Sequence, residues 1–308
     1  MSGADRLRNA RTLPQAVYGA VTMLVVSGIV TACSPVDHVP PAPTSTPSLP
    51  VVDRAAGAGA RAVLNDATGE VALPMSAYWY SDRENTLVNS AVAFLVYDCV
   101  EHAGYTVAPW GGDGKGLQDR RYGQWSKMLA AKNGQKPEIR KIPGVMPEQP
   151  ARPALSPEHQ RAETTCMNAV GRAGFPELLE GLAGDLSVQQ QITQNAVGLT
   201  ERDAEYVEYR EAWQRCLASK GLKLRAGDTW TVESSGLTED EIRVALLDVE
   251  CKESSGGARK PYDIFAQYQA AQMKDHQAEL NALAEQKSAA VERARQVLRD
   301  HGVADARL

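Results

Sequence analysis

The sequence predicts a mainly α-helical, disulfide-braced domain that follows a disordered, proline-rich stalk and ends in a long helix. Three observations predict this class. Helix-start signals precede apolar residues at helical spacing, four cysteines form an even set after the N-terminal region, and strand signals are weak throughout. The 308 residues are 43% hydrophobic and 23% charged, which is typical of one or two globular domains.

The N-terminal segment has the layout of a secretory signal peptide. Three arginines against one aspartate precede an apolar run from Ala16 to Val30, which is shorter than the roughly 20 residues that span a bilayer. The run ends in VTAC, whose last residue is Cys33, and this resembles the lipobox of bacterial lipoproteins. The resemblance implies cleavage before Cys33 and a diacylglycerol on its thiol. We therefore predict a signal peptide at 1–32 and a membrane partner through the lipid; an uncleaved anchor or an ordinary signal peptide are the alternatives.

Residues 33–70 are predicted to be the lipidated cysteine and a disordered linker. Six prolines lie between Ser34 and Pro50, and an Ala- and Gly-rich stretch follows them. Proline-rich sequence favours an extended chain without a packed core. We expect the folded part to occupy 71–308, as two cysteine-paired halves of about 71–180 and 181–308.

The remaining cysteines predict two disulfides, because an even number in an exported chain is normally paired. Each is followed five residues later by a glycine, which commonly stops a helix, so each should lie about one turn before a helix end. Four cysteines allow three connectivities, and a redox-active pair is the functional alternative. We favour bonds within each half, Cys99 with Cys166 and Cys216 with Cys251.

Four strong helix starts divide the region between the stalk and the terminal helix. Each has a Ser or Thr that can cap the helix, followed by an acidic residue within three positions. The irregular segment from Thr106 to Pro153 contains one short helix signal, YGQWSKMLAA. The four starts are Ser81, Ser156, Thr200 and Thr238, and the helices are expected to reach Ala103, Ala169, Lys220 and Glu250.

The C-terminal region predicts one long helix from about Pro261 to Arg299. It contains no glycine and no internal proline, and about 39 helical residues would measure about 58 Å. Its apolar stripe is narrow, as in a coiled-coil seam or a helix packed along one side. We favour an intramolecular hairpin with the preceding helices over a partner-binding coil. The stripe consists of Leu280, Leu283, Ala284, Val291, Ala294 and Leu298.

Several segments in a fixed order carry a family resemblance. They are VALPMSAYWYSDREN, CVEHAGY, RRYGQW at Arg120–Trp125, WQRCLASKG at Trp213–Gly221 and EIRVALLDVECK at Glu241–Lys252. Together with the Gln- and Glu-rich terminal helix, they resemble a group of uncharacterised secreted and lipid-anchored proteins of actinobacteria. The resemblance implies export, and its W-x-x-C and D-x-x-C segments imply the Cys216 to Cys251 bond. It carries no activity, and RAETTC before Met167 departs from the group's Gly-Gly-Cys.

Composition and motifs exclude several function classes. The net charge of -5 offers no basic footprint for nucleic acid. Histidines are scattered and zinc-ligand spacings are missing, so we predict no metal and no cofactor. GGDGKG at 111–116 lacks the first glycine and the Ser or Thr of a phosphate-binding loop, which leaves a flexible turn.

A few residues qualify as functional candidates. Arg120, Arg121, Tyr122 and Trp125 combine cations with aromatic rings, as interaction surfaces do, although a structural stacking role is favoured. The acids Glu239, Asp240 and Glu241 suit a helix N-terminus better than catalysis. Asp248 lies in an apolar helical stretch, and a buried charge needs a partner such as a basic side chain or a helix cap.

The leading hypothesis is a non-enzymatic lipoprotein on the extracytoplasmic face of the cell membrane. It would bind an envelope protein or a cell-wall component. The rival is an envelope-acting hydrolase whose paired carboxylates the fold brings together. A third hypothesis, the solute receptor of a transporter, requires alternating strands and helices that the sequence does not indicate.

Overall fold

The computed structural model describes residues 48–106, 114–145, 154–175, 186–236 and 238–304. These residues form eight α-helices and two short antiparallel strand pairs, so the mainly α fold is confirmed. The helices are α1 (Asp82–His102), α2 (Lys127–Asn133), α3 (Pro157–Arg172), α4 (Val188–Arg202), α5 (Ala204–Ser219), α6 (Thr238–Ser254), α7 (Lys260–Met273) and α8 (Gln277–Asp300). The paired strands are β1 (Val63–Leu64) with β2 (Val71–Ala72), and β3 (Gly114–Leu117) with β4 (Ile139–Ile142).

The predicted helix caps are present at two of the strong starts. The Ser81 hydroxyl accepts a hydrogen bond from the Glu84 amide, and the Glu84 side chain accepts one from the Ser81 amide at 2.8 Å. Ser156 caps α3, with proline in the first helical position. These bonds satisfy amides that a helix start leaves without an internal partner.

The start predicted at Thr200 is wrong by three residues. Asp203 caps α5, and Thr200 lies inside α4, where its hydroxyl donates to the Ala196 carbonyl at 2.7 Å. A threonine can satisfy its hydroxyl in this way within a helix, so its presence alone does not mark a helix start. The helix α4 itself was not predicted.

The single terminal helix is also corrected, because the chain turns at residues 274–276 and separates α7 from α8. Turn hydrogen bonds link Asp275 to Gln272 and His276 to Met273. The two helices bury their apolar faces in different places: α7 packs against α4, and α8 packs along α1. The favoured intramolecular packing of the terminal segment is therefore confirmed, with a break.

The two largest hydrophobic cores organise most of the described residues. An aromatic core lies between α5, α6 and α7, and an aliphatic core lies between α1, α3 and α8. The favoured disulfides are both present: Cys99–Cys166 joins α1 to α3, and Cys216–Cys251 joins α5 to α6. The bonds follow the two predicted halves, but the cores do not, because α8 completes the core of the first half.

The glycines that follow the cysteines behave as predicted in three of four cases. Gly104, Gly221 and Gly256 have positive φ just beyond a helix end. Gly171 instead lies within α3, and the left-handed residue there is Gly174, with φ of 141°.

The fold begins before Val71, within the stretch that was predicted to be linker. A 3-10 helix at Arg54–Gly57 lies against α7, and the Ala62 amide donates to the Asp263 carboxylate at 2.8 Å. Small residues permit this close approach: a Cβ added at Gly57 would lie 2.0 Å from the Gln267 carbonyl oxygen. The Ala- and Gly-rich composition therefore reflects packing here.

Replacing Gly57 with Ala is expected to lower the free energy of unfolding by about 1–3 kcal/mol, the usual cost of overpacking. The new methyl group would collide with backbone atoms of α7, which cannot rotate away. Gly59→Ala is the matched control, because a Cβ there meets nothing within 4 Å. Urea unfolding of both variants measures the difference, and equal stabilities would contradict the packing of this segment.

Several predicted features lie outside the described residues. They include the signal peptide at 1–32, the anchor Cys33 and the proline-rich sequence up to residue 47, as well as residues 111–113 of GGDGKG. The remaining residues of GGDGKG, 114–116, form the start of β3. No helix in the described ranges combines the length and apolar character needed to span a membrane.

Candidate functional site

The aromatic core is built around α5. Its sequence places Tyr206, Tyr209 and Trp213 at helical spacings of three and four, so their rings share the buried face. Trp213 stacks on Trp230 with ring centroids 4.6 Å apart. Tilted and edge-on ring contacts connect this stack with three further aromatic side chains, Tyr122, Trp125 and Tyr262.

A buried ion pair lies against this aromatic core. The Lys252 ammonium donates to the Asp248 carboxylate at 2.6 Å, one turn apart on α6, and the Trp213 indole donates to the same oxygen at 2.9 Å. The two charged side chains are 1% and 0% exposed. Burial lowers the pKa of Lys252, while the carboxylate opposes this shift. The expectation that Asp248 has a basic partner is confirmed.

The surroundings of this pair are closed. The Lys252 ammonium lies 4.8 Å from the Trp213 ring centroid, and a Cβ added at Gly123 would lie 3.1 Å from Lys252 Nζ and 2.5 Å from the Trp230 carbonyl oxygen. Gly123 also has a φ of 74°, which favours glycine. The pair therefore serves to fix α5, α6 and the Gly123 turn, away from solvent.

The candidate interaction residues at 120–125 contribute to the same core. The Arg120 guanidinium donates to the backbone and side-chain oxygens of Gln135, and burial lowers its pKa, with the Asp248 carboxylate opposing the shift. The Arg121 guanidinium lies 4.7 Å from the Phe265 ring centroid. The two aromatic members, Tyr122 and Trp125, are each 5% exposed. Arg120, Tyr122 and Trp125 thus hydrogen-bond or stack within the fold, whereas Arg121 is an exposed residue whose guanidinium lies over Phe265.

The acids at the start of α6 have local partners. Asp240 accepts a hydrogen bond from the Ser235 amide at 2.7 Å and one from Arg243 at 2.6 Å, and these two donors lower the pKa of Asp240 to about 2. The Glu241 carboxylate lies 3.4 Å from the Lys136 ammonium. These contacts fit the predicted role at a helix N-terminus.

A cavity of about 300 Å³ lies where α4 ends and α5 begins. Its polar residues combine two carboxylates, a guanidinium, an amide and a phenol. Tyr206, Arg210 and Gln214 recur every four residues, which places them on one face of α5. The lining residues are Glu201, Tyr206, Val207, Arg210, Glu211 and Gln214.

Arg210 is the unusual member of this cavity. Its side chain is half-buried, and its Nε is buried without a hydrogen-bond partner. Within the described part of the chain no carboxylate pairs with it; Glu211 lies 3.6 Å from Arg215 instead. A buried donor without an acceptor costs about 1–3 kcal/mol, and more when it is charged. The cavity therefore contains a cation to which the described residues provide no hydrogen-bond acceptor.

The aromatic core supports the cavity through Tyr206. This ring lies 5.9 Å from Tyr122 and 6.1 Å from Trp230, measured between centroids. Burial raises the pKa of Tyr206, whereas the nearby Arg210 cation acts in the opposite direction. One wall of the cavity is thus a rigid, neutral side chain anchored in the core.

This cavity was not predicted from the sequence. The four-residue spacing of Tyr206, Arg210 and Gln214 was a usable signal that they share a helix face, but Glu201 belongs to α4, which was not predicted. Among the described residues, no group of three or more His, Cys, Asp or Glu side chains could hold a metal ion. No family model, curated protein or solved structure matches the chain.

Proposed function

We propose that this protein is a lipid-anchored lipoprotein on the extracytoplasmic face of the cell membrane, and that its helical domain is a non-enzymatic binding module of the cell envelope. The observation that carries the binding role is the cavity at Arg210, where a half-buried guanidinium has an unpartnered Nε. Binding sites commonly place a few convergent polar groups in such a concave surface.

The proposed location rests on two independent features. The VTAC sequence at 30–33 resembles a lipobox and follows an apolar run of suitable length. The Cys99–Cys166 and Cys216–Cys251 bonds are typical of proteins that fold in an oxidising compartment. Both features agree with the proposed membership of the exported and lipid-anchored actinobacterial group.

Replacing Cys33 with Ala is expected either to release the protein from the membrane fraction or to leave it as an unprocessed precursor. The reason is that acyl chains on Cys33 would supply the membrane affinity, at about 0.8 kcal/mol per buried CH₂ group. Fractionation followed by immunoblotting measures the change, with Ser34→Ala as the control. Normal cleavage together with unchanged membrane retention would refute the lipid anchor.

The alternative function, an envelope-acting hydrolase, is favoured by one observation. Glu201 and Glu211 both line the cavity, and two carboxylates can serve as general acid and base or nucleophile. Incubation of the chain with peptidoglycan fragments distinguishes the two functions. Turnover that disappears in Glu201→Gln or Glu211→Gln would replace the binding module with the hydrolase.

A further inference from the structure

We propose that the Arg210 cavity binds a small zwitterion, namely a free amino acid or a short peptide with a free ammonium and a free carboxylate. This inference rests on the proposed binding function and assigns its ligand class. It is argued from three properties of the cavity: the state of Arg210, the positions of the two glutamates, and the remaining lining.

The guanidinium calls for an anionic group. Arg210 Nε is buried without an acceptor. None of the ion pairs among the described residues includes Arg210, and Glu211 pairs with Arg215 instead. Guanidinium groups bind carboxylates with two parallel hydrogen bonds, which adds both energy and orientation. A ligand carboxylate in the cavity would accept from the terminal guanidinium nitrogens, for which the described residues provide no hydrogen-bond partner, whereas Nε itself is buried.

The two glutamates disfavour a ligand that is only anionic. Glu201 and Glu211 lie in the same lining as Arg210, so the lining residues carry one more negative than positive charge, and Glu211 also lies 3.6 Å from Arg215 outside the lining. A simple anion would be repelled by both carboxylates, and a simple cation would be repelled by Arg210. A molecule with opposite charges at its two ends complements both kinds of group at once.

Size and remaining chemistry agree with this ligand class. The volume of about 300 Å³ lies at the lower end of small-molecule sites, which suits an amino acid or a dipeptide. Gln214 adds an amide that can donate to or accept from a peptide group, and Val207 adds an apolar surface for a short side chain. Tyr206 holds the adjacent wall in place.

The test compares three small probes against the full-length chain in detergent. Alanyl-alanine carries both charges, propionate carries the carboxylate, and ethylamine carries the ammonium. Ligand-observed NMR titrations give each affinity, and the same spectra reveal any conversion of the dipeptide to alanine. We expect alanyl-alanine to bind at least about tenfold more tightly than either singly charged probe.

Arg210→Gln is expected to weaken dipeptide binding at least about tenfold, because it removes the charged donor. Its thermal midpoint should equal or exceed that of the parent chain, since an unpartnered guanidinium contributes no hydrogen bond within the described fold. Arg202→Gln is the matched control: Arg202 is exposed near the end of α4 and is not part of the lining, so affinity should stay within about twofold.

The outcomes separate this inference from the proposed function. Binding of propionate or ethylamine as tightly as the dipeptide, with dependence on Arg210, would overturn the zwitterion and keep the binding module. Cleavage of the dipeptide would overturn the binding module itself. Failure of every probe to bind, or a loss of stability in Arg210→Gln that matches its loss of binding, would overturn the site.

Discussion

Replacing Lys252 with Met is expected to lower the free energy of unfolding by about 3–5 kcal/mol, because it leaves the Asp248 carboxylate buried without its cation. The pair has essentially no solvent exposure, so water cannot replace the lost partner. One Asp248 oxygen, Oδ2, already has no hydrogen-bond partner. Urea denaturation of the variant and the parent chain measures this change.

Two further variants test whether the loss of stability comes from the unpaired buried charge. Asp248→Asn combined with Lys252→Met should recover most of the lost stability, because the amide oxygen can still accept from the Trp213 indole while the buried charge is removed. Glu250→Gln is the control: it breaks the Lys220–Glu250 pair between the C-terminal end of α5 and α6, whose side chains are 26% and 63% exposed. Exposed pairs contribute about 0–1 kcal/mol. If Lys252→Met loses no more stability than Glu250→Gln, the buried Asp248–Lys252 pair does not stabilise the fold in the way proposed.

Removing the Cys216–Cys251 bond by replacing both cysteines with Ala is expected to cost about 4 kcal/mol. The bond closes a 35-residue loop, and loop closure restricts the unfolded chain to about this extent in the chain-entropy description. The Cys99–Cys166 bond closes a 67-residue loop, so its removal should cost slightly more. Urea unfolding of both double variants measures the two values.

Ser254→Ala provides the control for local packing, since the Ser254 hydroxyl lies 3.7 Å from Cys216 Sγ without being part of the bond. It should change stability by less than about 1 kcal/mol. If the Cys216 and Cys251 double variant is also within 1 kcal/mol of the parent chain, the bond is not a main support of the aromatic core.

The predictions that succeeded depend on interactions within a few residues of the chain. The start of α1 is fixed by Ser81 and Glu84, three positions apart, and the start of α3 by Ser156 and the following proline. Such hydrogen bonds form wherever the local sequence allows a helix, so they can be predicted without knowledge of the fold. The successful predictions of this kind are the mainly α fold class, two strong helix starts and the pairing of the even set of cysteines.

The predictions that failed depend on contacts between distant segments. The break at 274–276 exists because α7 and α8 pack against different helices, and nothing in the local composition marks it. The Ala- and Gly-rich segment folds because Gly57 meets Gln267, more than two hundred residues away. A composition rich in Ala and Gly is compatible both with a disordered linker and with a segment packed closely against a helix, so composition alone does not distinguish them.

In the candidate site, too, local features were predictable from the sequence and features that depend on the fold were not. A partner for Asp248 was predictable, because a carboxylate on an apolar helix face requires one, and Lys252 lies one turn away. The cavity was not predictable, because it depends on the angle between α4 and α5 and on the absence of a described partner for Arg210. Charge at a position is visible in a sequence, whereas unsatisfied charge is a property of the fold.

The intact mass of the protein extracted from membranes tests the proposed envelope lipoprotein and its disulfide-braced domain together. Alkylation under non-reducing, denaturing conditions should precede the measurement. The expected chain begins at Cys33, carries the added mass of a diacylglycerol, and takes up no alkyl groups on Cys99, Cys166, Cys216 or Cys251. A chain without lipid would rule out the proposed anchor, and a chain with four alkylated cysteines would rule out the two disulfides.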